Sequence, residues 1–247
     1  MRAELVEFAD IAPGVRHFVF RVVFRAVSRA VFRAPEAEHL DFVPGQFVSL
    51  SGMVQGKEIT RAYSIASSPS STNNRFELCL NRVEGGLFSP HLFALRPGES
   101  VEMRAPLGGF TLREPVRESL LIATGTGIAP FRSMLPAALS AMNAPRITLL
   151  FGVRHQSHLL YAGEFRDLEK QFPQFRFWPT LTNPDESWRG RRGRVQTHLP
   201  EALSAGANIN LNVDVYLCGM KAMVDEVRSL LKNMGFDRKQ IRSEKYD

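Results

Sequence analysis

The feature that most constrains this chain is a change of rhythm at Pro115. Ahead of it the β-rich segments are short: 46–50 (QFVSL), 60–66 (TRAYSIA), 76–81 (FELCLN) and 100–104 (SVEMR). Pro44-Gly45, Ser67–Ser71 and Pro97-Gly98 separate them and read as turns. Short strands punctuated in this way predict a barrel or a sandwich, with one helix near Gly86–Leu95. Behind Pro115, apolar runs at 119–124, 146–151, 174–180 and 213–217 alternate with helical stretches at 128–141, 162–171 and 220–234. Such alternation predicts a parallel sheet covered on both faces. The chain therefore divides into an all-β region, residues 1–114, and an α/β region, residues 115–247.

With 247 residues, two modest domains can bury their cores without disulfides or structural metal. Cys79 and Cys218 are far apart and do not supply the clustered ligands of an iron–sulfur or zinc site, so no metal is expected. Nothing requires a disulfide, and a reducing cytoplasm is the expected location. The opening MRAELVEFAD lacks the apolar core of a signal peptide. No apolar run approaches a membrane span, and no membrane association is expected. A net charge of +6 suits either nucleic acid or acidic, phosphate-bearing partners. The arginines are spread out except at 16–33 and 189–194, which favours the second. Residues 16–33 repeat Val-Phe-Arg at 19–21, 23–25 and 31–33. They read as a long hairpin or as a short tandem duplication without function, and the second is preferred.

Four segments carry chemistry. Arg61-Ala62-Tyr63-Ser64 lies on a strand, with Arg61 and Tyr63 on one face and Ala62 and Ser64 on the other. Arginine can hold a pyrophosphate through forked charge-assisted bonds, and tyrosine can lie against a flat ring. By itself this tetrapeptide fits any edge strand. Gly85-Gly86-Leu87-Phe88-Ser89 precedes the expected helix; it fits an anion site and equally a plain helix entrance. Gly125-Thr126-Gly127-Ile128-Ala129-Pro130 follows an apolar strand, the setting in which a glycine turn cradles a dinucleotide pyrophosphate. Pro130 replaces the last glycine of the Rossmann pattern and suits a first helical turn. Cys218-Gly219 ends the last apolar strand, where a thiol faces the ligand crevice or is simply a small buried hydrophobe.

In order and in context, these segments resemble the ferredoxin–NADP reductase superfamily over nearly the whole chain. PGQFVSL (44–50), PLGGF (106–110), FGVR…LLYAGEF (151–165) and a final Glu-x-Tyr support the resemblance. It implies an antiparallel six-stranded β-barrel that binds FAD, followed by an α/β parallel-sheet domain that binds NADPH or NADH. Arg61, Gly86, Leu87 and Ser89 would hold the FAD pyrophosphate, Tyr63 would pack on the isoalloxazine, and Ser64 would lie near flavin N5. Gly125, Thr126 and Gly127 would hold the nicotinamide nucleotide's pyrophosphate, with Cys218 and Gly219 beside the nicotinamide. Glu244 and Tyr246 match the ending of plant-type members, except that Asp247 follows. Arg154 and Arg194 fall where NADP-using relatives place arginines. A third arginine, from a Ser-Arg pair, is replaced by Thr182-Asn183, and the run Arg189–Arg194 offers compensation.

The implied activity is hydride transfer between nicotinamide C4 and flavin N5, with Ser64, Cys218, Glu244 and Tyr246 as the catalytic candidates. Electrons then pass singly to a separate acidic carrier, a ferredoxin or flavodoxin. Two other readings differ from this one. One is an NADH-dependent reductase component of an oxygenase or a cytochrome-b5-reductase-like enzyme. The other is a non-catalytic nucleic-acid-binding barrel, which leaves Gly125–Pro130 and Cys218-Gly219 unexplained.

Overall fold

The computed structural model describes residues 1–24, 40–69, 74–205 and 208–246. The chain forms two compact units, Met1–Thr111 and Leu112–Asp247.

The first unit opens with a hairpin of β1 (Arg2–Ala12) and β2 (Val15–Val23), turned at Pro13-Gly14. It continues through β3 (Phe47–Val54), β4 (Lys57–Ser64), β5 (Arg75–Asn81), α1 (Phe88–Ala94) and β6 (Ser100–Leu107). Gln55 and Gly56, both at positive φ, make the two-residue turn between β3 and β4, the conformation that matches strand twist. The six strands pair antiparallel in the order β4-β3-β6-β1-β2-β5. A bridge between Ile65 and Leu78 and a 2.8 Å bond from the Ala66 N–H to the Glu77 carbonyl join the two edges and close the barrel. Closure removes the exposed edges that would otherwise invite aggregation.

Alternation along β2 sends Phe18, Phe20 and Val22 inward. Phe20 stacks between Phe18 and Phe76, with centroids 5.8 and 5.6 Å away. The first Val-Phe-Arg unit is thus ordinary strand patterning: Phe20 fills the core and Arg21 pairs with Glu4 across the hairpin. Residues 25–33 of the repeat, Ser70 and Ser71 of the serine turn, and Asp247 lie outside the described residues.

Arg16 is enclosed by the rings of Phe8 at 4.1 Å, Phe93 at 4.6 Å and Phe18 at 5.7 Å. It also donates to Asp10 at 2.7 Å and to the Phe93 carbonyl at 2.9 Å, joining the hairpin to α1. That bond is the main reason the Asp10 carboxyl is held below its ordinary pKa. Arg16→Ala is expected to lower the unfolding free energy by about 2 kcal/mol through lost cation–π and hydrogen-bond contacts. Urea denaturation measures it, and a change below about 0.5 kcal/mol would contradict the assignment.

The second unit runs β7 (Ser119–Thr124), α2 (Ala129–Ser140), β8 (Ile147–Val153), α3 (Ala162–Gln171), β9 (Phe175–Leu181) and β10 (Arg191–Arg192). It then forms α4 (Leu199–Ala202) and the small ribbon β11 (Ser204–Ala205) and β12 (Asn208–Ile209). Finally come β13 (Asp214–Met220), α5 (Lys221–Asn233) and β14 (Ile241–Tyr246). Six strands form a parallel sheet in the order β10-β9-β8-β7-β13-β14. β7 and β13 are buried almost throughout, as strands covered on both faces must be. α5 turns Met223, Val224, Val227 and Leu231 toward the sheet. The chain moves outward from β7 on one side and returns through β13 on the other. The switch point therefore falls between these two strands, where open α/β sheets bind ligands at the carboxyl ends.

Candidate functional site

In the first unit, Arg61, Tyr63 and Ser64 lie at the end of β4, paired with Leu50, Val48 and Phe47 of β3. Arg61 is exposed, and among the described residues its guanidinium donates only to the neighbouring Thr60 carbonyl, at 2.8 Å. Tyr63 is half-buried against the Phe88 ring of α1, with centroids 6.5 Å apart and planes 20° from parallel. Burial pushes its phenol up to about 12 despite the opposing charge of Arg61. Ser64 is buried. The Tyr63–Phe88 contact brings the Gly85–Ser89 turn beside β4. Ser89 Oγ accepts the Val83 N–H at 2.9 Å and keeps its own proton to donate. The Gly86 N–H donates to the Val83 carbonyl at 3.1 Å, while Leu87 is exposed. An exposed guanidinium, a flat half-covered ring and a hydroxyl with a spare proton suit an anionic, aromatic ligand.

In the second unit, β7 ends at Thr124, and Gly125–Ile128 forms a single 3-10 turn leading into α2, with Pro130 in its first turn. Cys218-Gly219 lies alongside on β13. The two glycine motifs interlock. A Cβ on Gly127 would stand 2.3 Å from the Cys218 carbonyl oxygen, and one on Gly219 (φ +147°) would stand 2.2 Å from Thr124 Oγ1. Neither position tolerates a side chain, so the turn and the strand end close directly on one another. Gly125 has open space and a φ of +54°, and Thr126 is buried. Thr124 Oγ1 is buried without a hydrogen-bond partner among the described residues. It lies at the junction of the glycine turn and the strand end, against Gly219.

β14 lies parallel to β13 with Cys218 opposite Glu244 and Met220 opposite Tyr246. Burial, with Glu244 adding to it, pushes the Cys218 thiol well above its ordinary pKa, while a hydrogen bond from Tyr246 acts the other way. The sulfur is therefore a neutral thiol, unsuited to act as a nucleophile. β14 is anchored by Lys245, which shares Asp225 with Lys221 at 2.6 and 2.7 Å. Bonds from Lys221 and then Lys245 bring the Asp225 carboxyl down to about 2.

Arg154 follows β8 and Arg194 follows β10. Backbone bonds tie the strand ends together: Thr182 to Val153 at 3.0 Å, Asn183 to Arg154 at 2.8 Å and Gly193 to Leu181 at 2.8 Å. Both Arg154 and Arg194 are exposed. Neither guanidinium has a hydrogen-bond or ion-pair partner among the described residues. The remaining arginines of the 189–194 run bind their own loop. Arg189 reaches the Glu186 carbonyl, Arg191 reaches Glu201 and covers Trp178 at 3.6 Å, and Arg192 reaches the Trp188 carbonyl. Of the run, Arg194 alone has a guanidinium with no partner among the described residues. Sequence reasoning passed over Thr124, although its place just before the glycine turn was a usable signal. It also passed over His198 and Thr180, for which no local signal exists.

Among the described residues no group of three or more His, Cys, Asp or Glu side chains could hold a metal ion. No helix there is long and apolar enough to cross a membrane.

Residues 4–112 match the Oxidoreductase FAD-binding domain family, and residues 121–229 match the Oxidoreductase NAD-binding domain family. The chain is 39% identical over 250 residues to ferredoxin–NADP reductase B of Sorangium cellulosum, spanning 99% of this chain and 97% of that protein. It is 32% identical to the toluate 1,2-dioxygenase electron transfer component of Pseudomonas putida, over 87% of this chain and 61% of that protein. It thus covers only about three-fifths of the dioxygenase component's length. Among solved structures, the cytochrome P450 reductase of Amycolatopsis superposes with a TM-score of 0.82 at 29% identity, over 99% of this chain and 69% of that one.

Proposed function

Because this chain belongs to the ferredoxin–NADP reductase superfamily of FAD- and NAD(P)H-dependent oxidoreductases, we propose that it exchanges electrons between NADPH and a separate one-electron carrier protein. Bound FAD supplies an N5 atom that exchanges hydride with nicotinamide and can release electrons singly. The residues of the chain bind, align and exclude. Arg61 holds the FAD pyrophosphate with help from Gly86, Leu87 and Ser89. Tyr63 packs on the flavin ring as a neutral phenol, and Ser64 lies near its reactive edge. Thr124, Gly125, Thr126 and Gly127 hold the nicotinamide nucleotide, and Cys218 and Gly219 offer it an uncharged wall. Glu244 and Tyr246 bound that wall, and the contact between Tyr246 and Cys218 keeps the tyrosine at the crevice although Asp247 follows it.

The observation that supports this reading most is the interlock of Gly127 with Cys218 and of Gly219 with Thr124. It joins the phosphate turn to the strand end at the switch point of the sheet. The free guanidinium groups of Arg154 and Arg194 favour a nucleotide bearing a 2′-phosphate. The name of the Sorangium relative agrees with that preference.

The reading of the acceptor as an acidic carrier draws on the net charge of +6 and on relatives named as electron transfer components. It predicts that transfer to a purified acidic ferredoxin slows at least about tenfold as ionic strength rises from about 0.02 to about 0.5 M. Reduction of the flavin by NADPH should change much less. Stopped-flow measurement of the two half-reactions separates them, and a salt-independent transfer rate would remove the acidic partner.

A further inference from the structure

We propose that half-buried His198 and buried Thr180 form a brace that positions Arg194 and so sets the preference for a 2′-phosphorylated over an unphosphorylated nicotinamide dinucleotide. The inference rests on the reading of Arg194 given above. It begins with Thr180, a polar side chain fully buried near the carboxyl end of β9. Its hydroxyl donates to the Gly193 carbonyl at 2.8 Å and lies 2.9 Å from His198 Nε2. A hydroxyl carries one proton. With that proton given to Gly193, Thr180 Oγ1 can only accept from His198, so the brace calls for the imidazole proton on Nε2. Burial first, and the Arg191 charge second, hold His198 below its ordinary pKa against Glu201 and the Arg192 carbonyl. The ring is therefore neutral at neutral pH, and the brace requires its proton on Nε2 rather than Nδ1.

The brace acts on the peptide that leads directly to Arg194. The Gly193 N–H donates to the Leu181 carbonyl at 2.8 Å, while the Gly193 carbonyl is held by Thr180. One residue on, the Arg194 carbonyl accepts from the Thr197 N–H at 3.1 Å and from its hydroxyl at 2.8 Å. Val195, 1% exposed, fills the hollow over Gly152, where a Cβ would approach its Cγ1 to 2.7 Å. Residues 193–195 are thus fixed from three directions, yet the Arg194 side chain is exposed and has no partner among the described residues. A rigid backbone presenting a free planar cation is the arrangement that discriminates by a forked bond to phosphate. His198 and Thr180 are positioning residues, since their hydrogen bonds run to the chain and act only through Arg194.

The test uses the FAD-loaded enzyme with ferricyanide as acceptor and compares NADPH with NADH. In His198→Leu and Thr180→Val, KM for NADPH should rise about tenfold, the consequence of one badly placed charged hydrogen bond. Values of kcat should stay within about twofold and the NADH parameters should not move. His198→Gln, whose amide can still donate to Thr180, should recover most of the affinity. Arg194→Ala is the control. If it raises KM for NADPH while His198→Leu and Thr180→Val do not, the brace is overturned and the Arg194 reading survives. If Arg194→Ala itself leaves NADPH unaffected, both fall. A loss shared equally by NADPH and NADH would mark the contacts as merely structural and also overturn the proposal. Nitrogen NMR of the unsubstituted enzyme gives an independent reading: His198 protonated on Nε2 agrees with the brace, and an Nδ1–H tautomer contradicts it.

Discussion

Gly127→Ala is expected to slow reduction by NAD(P)H on the order of 10²-fold while leaving FAD bound. The added methyl would stand 2.3 Å from the Cys218 carbonyl oxygen, 2.6 Å from its carbonyl carbon and 2.8 Å from Gly219 Cα. All three are backbone atoms of a strand buried almost throughout, so no side-chain rotation relieves the clash. Either the phosphate turn or the end of β13 must shift by about an ångström, and misplacement on that scale costs on the order of 10²-fold in rate. Overpacking also costs about 1–3 kcal/mol of stability. Residues assigned to FAD lie in the first unit and should keep their affinity. Gly125→Ala provides the contrast: its methyl meets nothing within 4 Å, and the cost is only the left-handed φ, about 1–2 kcal/mol. Anaerobic stopped-flow reduction, with flavin content measured in parallel, checks both. A Gly127→Ala enzyme reduced within about threefold of the unsubstituted rate would sink the interlock as the basis of the nucleotide site.

Arg61→Ala is expected to weaken FAD binding by roughly 10²- to 10³-fold. Two charge-assisted bonds to a pyrophosphate are worth about 3–4 kcal/mol together, and 1.4 kcal/mol is a factor of ten. The substitution costs the fold little, because Arg61 is exposed and among the described residues its guanidinium donates only to the adjacent Thr60 carbonyl. The purified variant should be nearly colourless and regain its flavin only at high FAD concentration. Arg61→Lys keeps the charge but loses the fork, and should fall between the two. Fluorescence titration of FAD into flavin-free protein gives the constants, and an unchanged affinity would remove Arg61 from the site.

The parts of the fold that could be read in advance are those whose pattern is local. The run 119–124, apolar from Leu120 to Ala123 between a serine and a threonine, matches β7 residue for residue. Helices expected at 128–141, 162–171 and 220–234 appear as Ala129–Ser140, Ala162–Gln171 and Lys221–Asn233, because a glycine turn or an amphipathic period marks each. β14 went unread because IRSEKY is an edge strand with a single buried residue, Ile241, and so carries no apolar alternation. The β3–β4 hairpin is longer than its apolar cores suggest, since Ser51–Val54 and Lys57–Glu58 are held by pairing and by the Gln55-Gly56 turn.

The candidate site divides in the same way. Its four motifs stand at the strand ends where a reader of sequence would look for them. The reasons for their glycines are long-range, however: Gly127 faces residue 218 and Gly219 faces residue 124. The basic run 189–194 offered several arginines to a ligand. Internal bonds of Arg189, Arg191 and Arg192 leave Arg194 alone, and bonds of that kind leave no trace in composition.

Binding of FAD and its reduction by a nicotinamide nucleotide, NADPH in preference to NADH, are decided by an anaerobic absorbance titration of the purified protein with the two nucleotides in separate cuvettes. The expected result is a yellow protein whose visible flavin band is bleached by about one equivalent of nucleotide, faster with NADPH. A protein that stays colourless after incubation with FAD, or a flavin that neither nucleotide bleaches, would contradict it.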